Sequence, residues 1–130
     1  MIKIKLLIPM MLSAMLLSSC GAADSSSLGY RQISMDDAIK MMKDEKNYII
    51  LDVRRPDEFA EGHIPRAINV ANESIGREEI PELPDKSQLI LVYCRSGRRS
   101  KEAAEKLVKL GYTNIVEFGG IQDYKGEIEK

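Results

Sequence analysis

The 130-residue sequence contains no tryptophan, one histidine and two cysteines, and only 5% of its residues are aromatic. Because aromatic side chains are scarce, the core must be built mainly from aliphatic side chains and methionine. One histidine and so few thiols do not make a typical zinc-ligand set, so we expect no metal and no cofactor. The formal net charge of −1 gives the whole protein no basis for binding nucleic acid. Any positive field must therefore be local.

The first 19 residues differ in character from the rest of the chain. Lys3 and Lys5 precede an almost entirely apolar run over residues 6–17. This run is shorter than the ~20 residues that a membrane-spanning helix needs. A basic start, a short apolar core and small residues at its exit are typical of a secretory signal. An uncleaved anchor helix or a buried core helix is the alternative.

Residues 17–20, LSSC, resemble the lipobox of bacterial lipoproteins. That resemblance implies that Cys20 is lipidated, and that the protein is extracytoplasmic and anchored by lipid to a bacterial membrane. We interpret residues 20–29 as the lipidated cysteine and a flexible tether, and residues 30–130 as one domain of ordinary globular composition. Cys94 is then the only free thiol of the mature chain, so it cannot form an internal disulfide.

Apolar runs and turn residues predict an alternation of strands and helices. Ser34, with Asp37 three residues later, is a capping-box pattern that predicts the start of a helix. The strand-like run over 88–94 is the most apolar and is predicted to be central. The alternation favours an α/β fold with a parallel sheet. We predict strands over 48–53, 67–70, 88–94 and 114–118, helices over 34–45, from Pro56, over 100–112 and around Ile121 and Tyr124, and a loop with a broken helix over 72–86.

The stretch LVYCRSGRRS, residues 91–100, places a thiol at the end of the best strand and surrounds it with arginines. In open α/β sheets, ligands bind beyond the carboxyl ends of strands. A glycine-bearing turn and a helix start would aim backbone N–H groups at an anion and favour a nucleophilic thiolate. A small buried hydrophobe ending a strand is the alternative interpretation of the cysteine. The predicted catalytic residue is Cys94, and the predicted substrate-binding residues are Arg95, Ser96, Gly97, Arg98 and Arg99.

Three stretches together resemble the signatures of rhodanese-like domains: LDVRRPDEFAEGHIPRAINV (51–70), VYCRSGRRS (92–100) and VEFGGIQDY (116–124). The resemblance covers about residues 30–128. It implies a mostly parallel five-stranded sheet flanked by helices on both faces. It also implies a sulfurtransferase in which Cys94 takes the outer sulfur of thiosulfate, holds it as a persulfide, and passes it to cyanide or a thiol.

The resemblance further implies roles for neighbouring residues. Asp52 and Arg54 are expected to brace the loop and nearby turns rather than take part in the chemistry, and His63 is expected to make structural hydrogen bonds rather than act as a base. Tyr124 stands where the family usually has tryptophan. The implied partners are a small anionic sulfur donor, a thiol or protein-thiol acceptor, and a membrane held through the lipid anchor. We expect a monomer and no nucleic acid.

Three other functions remain as alternatives. A phosphatase or arsenate reductase of related fold would carry a C-x5-R loop, but position 100 is serine and Arg99 falls one residue short. A non-catalytic rhodanese-like module would bind a partner, although such domains often lose the cysteine that this chain retains. A persulfide carrier whose acceptor is another protein's thiol cannot be separated by sequence from a thiosulfate:cyanide sulfurtransferase.

Overall fold

The structure is a computed structural model that describes residues 28–76 and 78–130. The predicted signal peptide, Cys20 and most of the tether lie outside the described residues. In the described part, strands and helices alternate along the chain. Their bounds are β1 (Arg31–Gln32), α1 (Met35–Asp44), β2 (Tyr48–Asp52), α2 (Pro56–Glu61), β3 (Ile68–Asn69), a 3-10 turn (Asn72–Ser74), β4 (Leu89–Cys94), α3 (Arg98–Lys109), β5 (Ile115–Gly120) and a second 3-10 turn (Ile121–Asp123).

The five strands form one sheet in the order β1-β5-β4-β2-β3, and every neighbouring pair is parallel. All six residues of β4 are buried, as expected for a central parallel strand covered on both faces. The predicted α/β fold and the central position of β4 are therefore confirmed. The two-residue strand β1, which pairs Arg31 with Val116, was not among the predicted strands.

Alternate side chains of β4 enter two separate apolar clusters, one on each face of the sheet. Val92 and Cys94 point to the face that α3 covers, where Leu107 is fully buried. Leu91 and Tyr93 point to the opposite face, which α1 covers. Helices thus flank both faces, as predicted, and Cys94 faces the helix that follows it.

The start of α1 also follows its prediction. Ser34 is the N-cap, and its Oγ accepts a hydrogen bond of 3.1 Å from the backbone N–H of Asp37. Met35 is buried, and Met42 is partly buried against the same cluster. These methionines belong to the core, and their helical spacing puts both on the buried side of α1. No helix in residues 28–76 and 78–130 is long and apolar enough to cross a membrane.

Two helix predictions are corrected by the structure. Helix α3 begins at Arg98 rather than near Ser100, so two of the loop arginines belong to its first turn. The predicted final helix is a single 3-10 turn, Ile121–Asp123, with Tyr124 as its C-cap. The chain there makes other bonds: Gln122 donates its N–H to the Arg95 carbonyl, and Glu129 pairs through its backbone with His63. These backbone hydrogen bonds to distant residues take the place of helical ones in residues 121–130.

Candidate functional site

Cys94 is the last residue of the central strand, between the carboxyl ends of β2 and β5. The pairing of β4 with β5 shifts between Val92 and Cys94, so the strand leaves its regular register at the cysteine. Gly97 then adopts φ of 110°, a left-handed conformation that glycine accepts at little cost, and serves as the N-cap of α3. The chain therefore turns within three residues from a strand into a helix, with the sulfur at the base of the turn.

Two hydrogen-bonding groups contact the Cys94 sulfur. The N–H of Gly97 donates to Sγ at 3.0 Å, and the Ser100 hydroxyl lies 3.5 Å from it. The pKa of the Cys94 thiol is lowered. Burial is the largest single influence and raises it, but the hydrogen bond with the Ser100 hydroxyl and those from the N–H groups of Ser100, Gly97 and Ser96 together outweigh burial. The surroundings thus favour a thiolate, although the residue is only 1% exposed.

The glycine pair at the end of β5 supports the loop from below. A Cβ at Gly120 would lie 2.0 Å from the Arg95 carbonyl oxygen, so a side chain at this position would enter the loop backbone. Its N-terminal neighbour, Gly119, has φ of 91°, in the left-handed region. The carboxyl end of β5 is therefore built so that the cysteine loop can rest directly on its backbone.

A buried polar pair lies beneath the sulfur. Ser100 is fully buried, and its hydroxyl donates to Glu117 Oε2 at 2.7 Å. Glu117, in the middle of β5, is 3% exposed, and Oε2 also accepts the N–H of Gly119 at 2.6 Å. Cys94, Ser100 and Glu117 therefore form one continuous hydrogen-bonded chain.

Above the loop lies an open cavity of about 800 Å³. Its wall carries charges of both signs, with arginines from the loop and from the end of β2, and carboxylates from α2 and from the segment after β3. It is larger than a small inorganic anion requires. The lining residues are Arg54, Arg55, Asp57, Glu58, Glu61, Glu73, Arg95, Ser96, Arg98, Arg99, Ile121 and Gln122.

The five predicted substrate-binding residues are not equivalent in the structure. Arg95, Ser96, Arg98 and Arg99 line the cavity, while Gly97 contributes its N–H to the sulfur. The Arg98 side chain is 82% exposed and lies 4.0 Å from Glu102. The structure therefore places Gly97 against the sulfur and the other four residues along the cavity, with different degrees of exposure.

Arg99 is held by a partner that the sequence did not reveal. Its guanidinium donates to both carboxylate oxygens of Glu58 in α2, at 2.6 and 3.0 Å. Both side chains are mostly buried, and the hydrogen bonds from Arg99 hold the pKa of Glu58 below its ordinary value. Much of the Arg99 charge is thus neutralised inside the protein.

Asp52 and Arg54 form a buried ion pair at the end of β2. Arg54 donates to both Asp52 carboxylate oxygens, at 2.6 Å for the shortest bond, and also to the Gly62 carbonyl at 2.7 Å. Asn69 donates to the backbone carbonyls of both residues. The bond to Gly62 ties the end of β2 to a neighbouring turn, and the bonds from Asn69 tie it to β3, which fits the predicted bracing of nearby turns.

His63 has partners of a structural kind. Its ring stacks on Phe59 at 3.7 Å between centroids, and Nδ1 lies 2.9 Å from the Phe59 carbonyl oxygen. Nε2 lies 3.6 Å from the Glu129 carboxylate near the carboxyl terminus. His63 is not among the residues that line the cavity. The expected structural role fits these contacts.

Sequence reasoning missed three residues of the site: Glu58, Ser100 and Glu117. Only Glu117 leaves a visible signal in the sequence, because a carboxylate stands inside the apolar run IVEF that was predicted to be a buried strand. A buried, unpaired charge is costly, so such a residue implies a specific partner nearby. Glu58 and Ser100 gain their meaning only from contacts across the fold.

Comparison with protein families and curated proteins gives a consistent result. Residues 34–127 match the family model of the rhodanese-like domain. The chain is 36% identical over 73 residues to the thiosulfate sulfurtransferase PspE of Escherichia coli (strain K12), covering 56% of this chain and 70% of that protein. It is 33% identical over 97 residues to the thiosulfate sulfurtransferase GlpE of Coxiella burnetii (strain RSA 331 / Henzerling II), covering 74% of this chain and 88% of the relative.

A solved structure agrees with these relatives. The protein described as rhodanese with anions from E. coli superposes with a TM-score of 0.58 at 32% identity. The superposition covers 64% of this chain and 98% of that one.

Proposed function

Since the chain belongs to the rhodanese-like domain family, we propose that it is a sulfurtransferase that carries sulfur as a persulfide on Cys94. The observation that carries the proposal is the environment of the Cys94 sulfur. Cys94 Sγ accepts the Gly97 N–H at 3.0 Å, at the base of a loop whose arginines line a cavity. Relatives of similar sequence are named thiosulfate sulfurtransferases, which supports the reaction class.

In the first half-reaction, the Cys94 thiolate attacks the outer sulfur of thiosulfate. The sulfur–sulfur bond of the donor breaks, and sulfite leaves with the bonding electron pair. The outer sulfur remains on Cys94 as a persulfide. The loop N–H groups and the amino-terminal end of α3 are placed to stabilise the negative charge of both thiolate and persulfide.

In the second half-reaction, a nucleophile attacks the outer sulfur of the persulfide. Cyanide would leave as thiocyanate, and a thiolate acceptor would leave as a new persulfide. In both cases Cys94 receives the electron pair and is restored as a thiolate, which gives ping-pong kinetics. The first half-reaction begins from the thiolate and the second restores it, because the thiolate is the reactive form of the cysteine.

The charges of the cavity bear on both substrates. Arg95 and the highly exposed Arg98 are the loop cations best placed to attract a dianionic donor, because Arg99 is held by Glu58. The cavity's volume of about 800 Å³ leaves room for an acceptor larger than cyanide. We therefore propose a thiol acceptor, small or on a protein, as the physiological class.

We also propose that the protein works outside the cytoplasm, as a monomer anchored to a bacterial membrane by a lipid on Cys20. The support is the amino-terminal sequence alone, a basic start and apolar run that end in LSSC. Fatty-acid labelling and membrane fractionation of cells that express the full chain would test this. Label and membrane association should both be lost in Cys20→Ser, and a soluble or unlabelled parent chain would contradict the proposal.

The decisive test of the reaction is intact mass of the purified full chain before and after thiosulfate, and again after cyanide. We expect a gain of one sulfur atom, its loss on cyanide treatment and the appearance of thiocyanate. Cys94→Ser should show none of the three. If neither thiosulfate nor other sulfane-sulfur donors add mass, the chain is not a sulfurtransferase. A phosphatase assay and partner capture would then separate the two remaining alternatives.

A further inference from the structure

Glu117 is a buried acid, and the proposed sulfur chemistry does not explain why a carboxylate stands at this position. It is 3% exposed, in a strand whose neighbours Val116 and Phe118 are buried apolar residues. Its Oε2 accepts two short hydrogen bonds, from the Ser100 hydroxyl at 2.7 Å and from the Gly119 N–H at 2.6 Å. Burying a carboxylate costs free energy unless hydrogen bonds or a charged partner compensate for the lost solvation.

The Ser100 hydroxyl has one hydrogen but three acceptor oxygens within hydrogen-bonding distance. Its oxygen lies 2.7 Å from Glu117 Oε2, 2.9 Å from the Gly97 carbonyl oxygen and 3.3 Å from that of Gly119. One hydroxyl donates one hydrogen bond, and a carboxylate is the strongest of these acceptors. The hydrogen therefore points to Glu117, and an Oγ lone pair is left to face the Cys94 thiol at 3.5 Å.

We propose that Glu117 is a positioning residue for Cys94, which acts through Ser100 and holds the proton that the thiol gives up. The inference rests on the proposed function of Cys94. The thiol proton moves to Ser100 Oγ while the hydroxyl proton moves to Glu117 Oε2. One S–H bond breaks and one O–H bond forms at Glu117, while Ser100 exchanges one hydrogen for another. The negative charge moves from Oε2 to Sγ, so the net charge of the group stays the same.

The Cys94 sulfur and Glu117 Oε2 have hydrogen-bond partners both before and after this transfer. Before it, the thiol donates to Ser100, and Ser100 donates to the carboxylate. After it, the Glu117 acid donates to Ser100, and Ser100 donates to the thiolate, which also keeps the Gly97 N–H. The transfer avoids two buried anions joined by a single hydroxyl, which would repel each other in a poorly solvated site.

The other ionisable groups near this chain of bonds do not replace either partner. Arg99, from α3, is the cation that interacts with Cys94, and it is already paired with Glu58. The Tyr30 phenol, just before β1, interacts with Glu117. Burial raises the pKa of that phenol, which keeps it neutral. Neither group therefore lies in the hydrogen-bonded path from Cys94 through Ser100 to Glu117.

The test is the pH dependence of Cys94 alkylation by iodoacetamide in the purified full chain. Peptide mass spectrometry scores Cys94 separately from Cys20. If Glu117 takes the thiol proton, we expect the rate of Cys94 alkylation to rise, stay nearly level, and rise again as the pH increases. In Glu117→Gln, the amide cannot take the proton. The rate should then rise in one step, about tenfold per pH unit below a single pKa.

Glu105→Gln is the matched control, because Glu105 is an exposed acid on α3 and its loss changes the charge equally. It should keep the two-step profile of the parent chain. If parent and Glu117→Gln both titrate in one step, the proposal is wrong. If Glu117→Gln lowers the rate by one factor at every pH and keeps the parent's shape, Glu117 is merely structural.

Ser100→Ala tests the same path without removing either ionisable group. The level part of the profile should fall about tenfold or more, since the thiolate loses a hydrogen bond from the hydroxyl. An unchanged level part would overturn the proposal even if Glu117→Gln failed to fold. Alkylation requires no sulfur donor. A two-step profile in a chain that forms no persulfide would therefore reject the sulfurtransferase proposal and keep this one.

Discussion

Gly120→Ala should move the cysteine loop by a distance that can be worked out from the structure. The added Cβ would lie 2.0 Å from the Arg95 carbonyl oxygen, 2.3 Å from its carbonyl carbon and 2.5 Å from the Ser96 nitrogen. All three atoms are backbone, so no side-chain rotation relieves the overlap. Ordinary contact begins at 3.4 Å, and 3.4 minus 2.0 leaves a withdrawal of about 1.4 Å.

Such a displacement acts on the sulfur through the loop. The Gly97 N–H now donates to Sγ at 3.0 Å, and a shift of this size would remove that bond. Because the bond helps to lower the pKa of Cys94, the thiolate fraction at neutral pH should fall. Misplacing a reacting group by 1 Å costs roughly 100-fold in rate, so kcat/KM should fall by about that factor. Overpacking of this kind also destabilises a fold by about 1–3 kcal/mol.

The assay is thiosulfate:cyanide sulfurtransfer, with thermal unfolding followed by circular dichroism. Gly111→Ala is the matched control. Its φ of 99° makes the alanine strained, but no atom lies within 4 Å of the new Cβ. That variant should lose about 1 kcal/mol of stability and keep its activity. A Gly120→Ala protein with activity within about threefold of the parent would refute the reasoning, since it would show that the loop tolerates the displacement.

Two further substitutions test the charges around the site. Glu58→Gln should release Arg99 toward the cavity and lower KM for thiosulfate about three- to tenfold, at a cost of about 1–2 kcal/mol in unfolding free energy. Asp57→Asn is its control at an exposed pair, and a raised KM in Glu58→Gln would mean that Arg99 binds the donor only where Glu58 holds it. Asp52→Asn leaves the buried Arg54 without its carboxylate and should cost about 3–5 kcal/mol in chemical denaturation. Asp52→Asn with Arg54→Met should regain much of that stability, and a mild single mutant would contradict the bracing role.

Much of the fold could be predicted because its strands are continuous apolar runs. The six buried residues of β4 and the helical spacing before and after it require no distant contact to be recognised. Strand β1 has only two residues, both exposed, so it carries no pattern of its own and exists through its pairing with β5. The helix predicted after Gly120 was wrong because the backbone hydrogen bonds of that segment go to Arg95 and His63, which are distant in sequence.

The site divides in the same way. Cys94, Gly97 and the arginines stand within six residues of one another, so their grouping was visible before the fold was known. The sequence could not show which of these arginines forms an ion pair, since Arg99 binds Glu58, which lies 41 positions away. The same holds for the hydrogen bond from Ser100 to Glu117, which joins α3 to β5. Local chemistry could be predicted, whereas its tuning depends on contacts made only in the folded chain.

The positive surroundings of Cys94 act in two separable ways, and salt should distinguish them. The groups that touch the sulfur are the Gly97 N–H and the Ser100 hydroxyl, which are uncharged dipoles in a buried site. The Arg98 charge lies in solvent, at 82% exposure. Salt screens exposed charges strongly and buried dipoles little. Raising the salt concentration should therefore raise KM for thiosulfate several-fold and leave the alkylation of Cys94 by neutral iodoacetamide nearly unchanged. If alkylation slowed as steeply as KM rose, the exposed arginines would be sustaining the thiolate, and the loop N–H groups would not be its main support.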